Sequence, residues 1–379
     1  MAGVSDQRRL ATLRMVEEAI LSESRGVSLH WCGRGTTALT WAFKAAAMAH
    51  PAISKPEVVL PATACSTMPA AGILANCRLR FVDVRLEDAL MDLDKLPAAL
   101  SPNTVAVLFI HLYGNTADLE ALYQTLSSRK IWLIEDAAQA FGGRTPSGKS
   151  LGSIGDLAIH GFSDNKILDA GGGALMVRNP ACQPTVNEAI RLIQPWKSVS
   201  KETYRRYDQS FQFIYSGLVE LQRISPESRP HAAFRDIIRQ FGESFIQAHT
   251  PKPTLPHEWS SLKTNIAHRL EMAEIYHRMI PSEIATPICI PEESGIVWKW
   301  TMLLSEGISQ QSVIGALRRK GFLPTDLYWP LDALLSEEPS CPNAMEIGRR
   351  VVNLPVDGGV NREMVEAMAN VIRSAERGA

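Results

Sequence analysis

Three short stretches of this 379-residue chain combine residue types that could do covalent chemistry. The first is HGFSDNKILDAGGGALMV, in which Lys166 sits between apolar runs and is followed by Gly171, Gly172 and Gly173. An ammonium drawn into an apolar turn loses hydration, so its pKa falls and the neutral amine becomes a nucleophile toward aldehydes. Three glycines in a row are entropically costly. They read as a way to let backbone approach a bound group closely. A solvent-facing side chain is the default for any single lysine, and Lys149 and Arg178 stay in that class.

The second stretch is IWLIEDAAQAFGG, where four apolar residues run into Glu135 and Asp136. A carboxylate at the carboxyl end of a parallel strand stands where open α/β sheets bind ligands. It could keep a ring nitrogen protonated or take a metal. Glu135 reads as a turn cap or a solvated acid, and Asp136 as the functional one. The third stretch is CGRGTTAL, where glycines lead into a helix beginning near Thr36. Free N–H groups and the helix dipole attract an anion there, and hydroxyls add donors. Alone it would be an ordinary N-cap. Together the three match the needs of pyridoxal 5'-phosphate (PLP): an anion cradle, a carboxylate for the pyridinium nitrogen, and an amine for the aldehyde. Lys166 follows Asp136 by 30 residues, the length of one crossover between neighbouring elements.

Residues 27 to 178 alternate short β-rich runs (VSLHW, EVVL, LRFVDV, TVAVLFI, IWLI, DLAIHGF, GALMV) with helical stretches such as TTALTWAFKAAAMA and ADLEALYQTLSSR. Most of the β runs are continuously apolar, the mark of strands buried on both faces. The expected fold is α/β: a mostly parallel central sheet sandwiched by helices, with a smaller C-terminal α+β domain. The expected division is 1–250 for the large domain and 251–379 for the small one. From about residue 195 the pattern loosens into helix mixed with polar connections, and Pro251, Pro253 and Pro256 break the chain again. TNIAHRLEMAEIYHRMI reads as a strong amphipathic helix, IVWKWTMLL as a strand and REMVEAMANVIRSA as a closing helix.

Lys and Arg total 39 and Asp and Glu 40, a net charge of −1 that recommends neither nucleic acid nor an anionic membrane as a partner. No apolar run reaches the length of a membrane span. The N-terminal MAGVSDQRRLATLRMVEEAI reads as an amphipathic helix and not a signal peptide. The six cysteines show no CxxC pair and no metal-ligand spacing, so they read as buried thiols of a cytoplasmic protein, and no metal is expected.

The motifs occur in an order that resembles the DegT/DnrJ/EryC1/StrS family of fold-type-I PLP-dependent sugar aminotransferases. GTTAL is similar to that family's Gly-Thr-x-Ala-Leu phosphate segment, HLYG to its His-Leu-Tyr-Gly segment, and EDAAQ to its Glu-Asp-Ala-Ala-Gln stretch. VVNLPVDGG resembles the closing Leu-Pro segment. The resemblance implies that Lys166 is the Schiff-base lysine and proton shuttle, that Asp136 binds the pyridine nitrogen, and that Gln139 lies near the ring. It implies that Gly35, Thr36 and Thr37 hold the phosphate. It implies a homodimer that moves an amino group from glutamate or glutamine to the keto group of a nucleotide-linked sugar.

The chain departs from the family at several positions. Gly161 stands where the family has a phosphate-binding serine five residues before the lysine, with Ser163 as a replacement. Cys65 aligns with the aromatic that stacks on the cofactor. The Asn-x-Arg-Met segment lent to the partner subunit is not recognisable, and Asn265 is a loose candidate. These losses are what a non-catalytic regulatory or scaffold descendant would show. The joint survival of Lys166, Asp136 and Gln139 favours an enzyme. A keto-deoxysugar dehydratase is disfavoured because the dehydratases that resemble this family lose the lysine.

Overall fold

The computed structural model describes residues 2–194, 201–249 and 252–375. Residues 195–200 of the loosely patterned stretch, and Pro251, lie outside the described residues.

Seven strands form the main sheet: β1 (Ser28–Cys32), β2 (Glu57–Pro61), β3 (Arg78–Val82), β4 (Thr104–Ile110), β5 (Trp132–Asp136), β6 (Leu157–Gly161) and β7 (Gly173–Val177). Their order is β1-β7-β6-β5-β4-β2-β3, parallel from β3 through β6 and antiparallel at β7 and β1. Every residue of β2, β4, β6 and β7 is buried, as their continuous apolar character requires of strands covered on both faces. Edge strand β3 alternates between partly open and exposed residues before ending on buried Val82.

The first nine helices are α1 (Ala2–Ser24), α2 (Gly35–Met48), α3 (Met68–Leu74), α4 (Leu96–Ala99), α5 (Glu120–Ser128), α6 (Gln183–Leu192), α7 (Lys201–Ile224), α8 (His231–Phe241) and α9 (Leu255–Met279). In α2, small Ala38, Ala42, Ala45 and Ala46 are fully buried and let the helix lie close on the sheet. The stretch LDKLPAAL, read as helix-like, yields only the single turn of α4. The loosely patterned stretch is more regular than its sequence suggested, because α7 alone runs for 24 residues. Its polar residues mislead because only one narrow face is buried: Phe211 and Val219 join the core while Phe213 and Ile224 remain exposed.

A second, three-stranded sheet joins β8 (Ala285–Pro287), β9 (Trp300–Leu304) and β10 (Val351–Leu354), all antiparallel. Of the apolar run IVWKWTMLL, only its second half is strand. This sheet has its own core, built from Ile275, Met302, Leu317, Val352 and Met368 among others. Helix α9 spans the two units: Leu255 packs on the main sheet's side, and Met272, Ile275 and Tyr276 pack in the second core.

The parallel strands end in register, with Ile110 beside Asp136 and Asp136 beside Ile159. Their carboxyl ends, the start of α2 and the β6–β7 connection therefore meet at one place.

Candidate functional site

A cavity of about 120 Å³ opens at that place, and its walls include Gly35, Thr36, Asp136, Gln139, Gly161, Ser163 and Lys166. Six residues singled out from the sequence as site candidates thus converge on one space, together with Gly161. Thr37 does not join them. Its hydroxyl donates to the Phe245 carbonyl at 3.0 Å and accepts from the Gln247 N–H at 2.9 Å, so it anchors the chain after α8 to α2. Being one residue on from Thr36, it lies about 100° round the helix and faces the protein.

Lys166 is carried on a tightly held loop. Its N–H donates to Ser163, Asn165 adopts a left-handed φ of 71°, and the Trp298 indole N–H donates to the Asn165 carbonyl at 2.7 Å. The Asn265 amide donates to the Ile167 carbonyl at 2.8 Å, and Lys252 bridges Asp164 and Asp169. Asn265 is therefore a support for the lysine loop, with its other amide end accepting from Arg269.

The glycines serve a different purpose from the one their sequence suggested. Gly172 has φ 100°, and a Cβ there would lie 2.3 Å from the Cys32 carbonyl; one on Gly173 would lie 2.9 Å from the Gly35 nitrogen. They let the lysine loop press against β1 and the start of α2, and none of the three lines the cavity. The close approach is backbone to backbone.

The electrostatics follow from enclosure. Lys166 is half-buried, its open part facing the cavity, and its Nζ lies 5.0 Å from the Trp298 ring centroid. Loss of hydration lowers its pKa, opposed by the Asp136 charge. Burial raises the pKa of Asp136, opposed by the Ala138 N–H, which donates to its Oδ1 at 2.9 Å, and by Lys166. Among the described residues no acid pairs with Lys166 and no cation pairs with Asp136. A buried amine and a buried carboxylate facing one space without a partner have a chemical reason to wait for a third group.

Glu135 is neither a surface acid nor part of this space. It is fully buried, accepts from the N–H groups of Gly152, Ile154 and Gly155 at 3.1, 2.6 and 2.6 Å, and lies 3.0 Å from His111 Nε2. Burial pushes its pKa up, but His111 and those N–H groups outweigh burial and leave it below the ordinary value. It holds the loop before β6. Adjacent residues of a strand point to opposite faces, which is why one acid supports the fold and the other reaches the cavity.

Gln139 is held at both ends: its Oε1 accepts from the Tyr113 N–H and its Nε2 donates to Tyr328 Oη, each at 2.8 Å. Tyr328 is a cavity residue that sequence reasoning missed, as is Thr67, whose hydroxyl lies 3.0 Å from that of Thr36. Tyr328 is nearly two hundred residues from Gln139, and no local pattern marks it. Cys65 lines the cavity and is the one cysteine of the six that is not fully buried. Gly161 is packed so closely that a Cβ would lie 2.7 Å from that of Ala138.

A profile of the DegT/DnrJ/EryC1/StrS aminotransferase family matches residues 30–210, the segment that carries Gly35, Asp136 and Lys166. Over that segment the chain is similar to that family.

It is 44% identical over 100 residues to a dTDP-3-amino-3,4,6-trideoxy-alpha-D-glucose transaminase of Micromonospora megalomicea subsp. nigra, a match covering 26% of each chain. It is 24% identical over 360 residues to a UDP-N-acetyl-3-dehydro-alpha-D-glucosamine 3-aminotransferase of Acidithiobacillus ferrooxidans, covering 92% of this chain and 84% of the relative. The match spans only 26% and 38% of the first two curated relatives' lengths. In fold it is similar to the Streptococcus pneumoniae protein Spr1654, solved in its PLP form, with TM-score 0.72, 14% identity and coverage of 100% of this chain and 97% of that one.

Proposed function

We propose that the protein is a PLP-dependent aminotransferase. It takes an amino group from an amino acid donor, glutamate or glutamine, and delivers it to a keto group of a nucleotide-linked sugar. The observation that carries this reading is the convergence of Lys166 and Asp136 on one cavity at the N-terminus of α2, each without an ionic partner among the described residues. The donor set fits the cofactor: an amine of lowered pKa for an aldehyde, a carboxylate for a ring nitrogen, and a helix start with two hydroxyls for a phosphate.

PLP supplies an electron sink when bound. The remaining work falls to the chain. Lys166 Nζ, its pKa lowered by burial, would hold the cofactor's aldehyde carbon and would serve as the base that moves a proton at the donor's α-carbon. Asp136 would hold the ring nitrogen as a carboxylate and keep it protonated; the Ala138 N–H helps that carboxylate stay ionised despite burial. Gln139 is fixed by Tyr113 and Tyr328, so it orients the ring's phenolic edge without rearranging. Gly35 and Thr36 receive the phosphate on the first turn of α2, where the N–H groups have no intrahelical acceptor. Ser163 and Thr67 add hydroxyls to the same wall. Domain 1–250 supplies these groups, and domain 251–379 supplies Tyr328 and the Trp298 ring beside Lys166.

The acceptor class rests on relatives named as transaminases acting on dTDP- and UDP-linked sugars. No helix among the described residues is long and apolar enough to cross a membrane. A cytoplasmic homodimer is part of the same reading.

The test is the visible spectrum of the purified protein before and after glutamate. An aminotransferase is yellow, loses that band to the donor, and retains the cofactor covalently at Lys166 after borohydride. A colourless protein that ignores added PLP would instead be a non-catalytic descendant of the fold.

A further inference from the structure

Arg34 was not among the residues the sequence singled out. It immediately precedes α2 and lines the cavity beside Gly35 and Thr36. Its backbone is extended (φ −155°, ψ 153°), and its carbonyl accepts from the N–H groups of Thr37 and Ala38, which fixes the residue to the helix start. The guanidinium carbon lies 5.4 Å from the Tyr204 ring centroid and 5.2 Å from that of Phe245, so two aromatic rings set its plane. Among the described residues its one ionic contact is a long one, 3.4 Å from Nη1 to Asp208 Oδ1 on α7, and Tyr204 donates to the same oxygen. A guanidinium has five N–H donors in a rigid fork suited to phosphate oxygens. Among the described residues, the rest of that fork has no acceptor in the protein.

Gly161 lines the same cavity. The family resemblance expects a serine at position 161, and the contact of Gly161 with Ala138 leaves no room for one. The cavity thus has a cation beside Gly35 and Thr36, and a bare glycine elsewhere in its lining.

We propose that Arg34, oriented by Tyr204, Phe245 and Asp208, is the cation that binds the cofactor's phosphate, supplied from the same chain that supplies Lys166. This rests on the PLP reading above. Helix α7 then acts as a brace for the phosphate cup, through Tyr204 and Asp208 on one of its faces.

The test compares PLP with pyridoxal, which lacks the phosphate, binding to the apoprotein, read by visible absorbance and by quenching of tryptophan fluorescence. Arg34→Gln lowers PLP affinity about ten- to a hundredfold, the loss expected for a charge-assisted contact, and leaves pyridoxal affinity unchanged. Inorganic phosphate competes with PLP in the wild type and loses that ability in the variant. Asp208→Asn, a change at a partly buried residue, weakens the brace on the guanidinium and lowers the PLP-to-pyridoxal affinity ratio about threefold, less than Arg34→Gln does.

An unchanged ratio in both variants would overturn the assignment. So would a loss of affinity for nucleoside diphosphates alone, which would place Arg34 in the acceptor's subsite. Failure of the PLP reading is separately visible: the wild type would then bind neither aldehyde, and this inference would fall with it.

Discussion

Lys166 and Asp136 line one cavity without forming an ion pair, and each is pushed by its surroundings toward the neutral state. Two opposite charges this close would ordinarily settle the matter by contact. Here the loop stapled by Asn265 and Trp298, and the strand end held by the Ala138 N–H, keep them apart.

The first expectation concerns the amine. Because desolvation lowers the Lys166 pKa, the neutral form is present below the pH at which an ordinary lysine of pKa 10.5 would supply it. The rate of PLP uptake by the apoprotein should rise with pH and level off below that value. Lys166→Ala should abolish borohydride trapping altogether. Trapping on a different lysine in that variant, found by peptide mapping, would contradict the site.

Asp136→Asn keeps the shape and the Ala138 contact but removes the charge. The glutamate half-reaction should slow by about 10²- to 10⁴-fold, the usual scale for a group that governs a proton. PLP should still bind. Rapid-mixing absorbance separates the two: slow loss of the yellow band after normal loading is the expected result.

A serine at position 161 should harm the protein. In Gly161→Ser the new Cβ meets the Ala138 Cβ at 2.7 Å and its carbonyl at 3.1 Å, so β6 or the turn after β5 must shift. Overpacking of this kind costs about 1–3 kcal/mol. Thermal unfolding should fall by several degrees, and Ala138→Gly in the same chain should recover part of the loss.

Glu135→Ala leaves three backbone N–H groups and His111 without their shared acceptor in a fully buried place. The expected cost is about 3–5 kcal/mol, as when one partner of a buried charged network is deleted. Denaturant titration should show a midpoint well below that of Asp136→Asn, which tells the supporting acid from the site acid.

The reverse face of the sheet gives a pH dependence. His160 is buried between Phe141 and Phe162, with no hydrogen-bond partner on either ring nitrogen among the described residues. Burial lowers its pKa from 6.5 to about 4, with Glu135 opposing and His111 assisting. The unfolded chain therefore binds more protons between those values. Stability is intact above pH 6.5 and declines by about 3 kcal/mol as pH falls to 4. His160→Leu should flatten unfolding free energy against pH across that window; an unaltered slope would assign the acid sensitivity elsewhere.

The parallel sheet, the lysine, the strand-end acid and the glycine-threonine helix start were legible because each is a local pattern. Continuous apolar runs report burial on both faces, and a carboxylate after such a run must stand at a strand's end. Helix α7 was not legible as one long element, since much of its surface is polar or exposed and only a narrow stripe packs inward. The glycines after Lys166 were legible as a close approach, but not as an approach to Cys32 and Gly35, because sequence carries no information about which distant backbone lies opposite.

The chain's own order of residues determined the groups on offer: one amine, one acid and one helix start with hydroxyls, at spacings set by single strand-and-helix units. Tertiary structure alone decided which members reach the cavity. Thr37 is turned away by helical periodicity and captured by Phe245 and Gln247, whereas Tyr328 is brought in by packing between segments far apart in sequence. Side-chain direction at a site depends on what fills the space around it, and that space exists only once the sheet, α2 and the C-terminal unit have closed on one another.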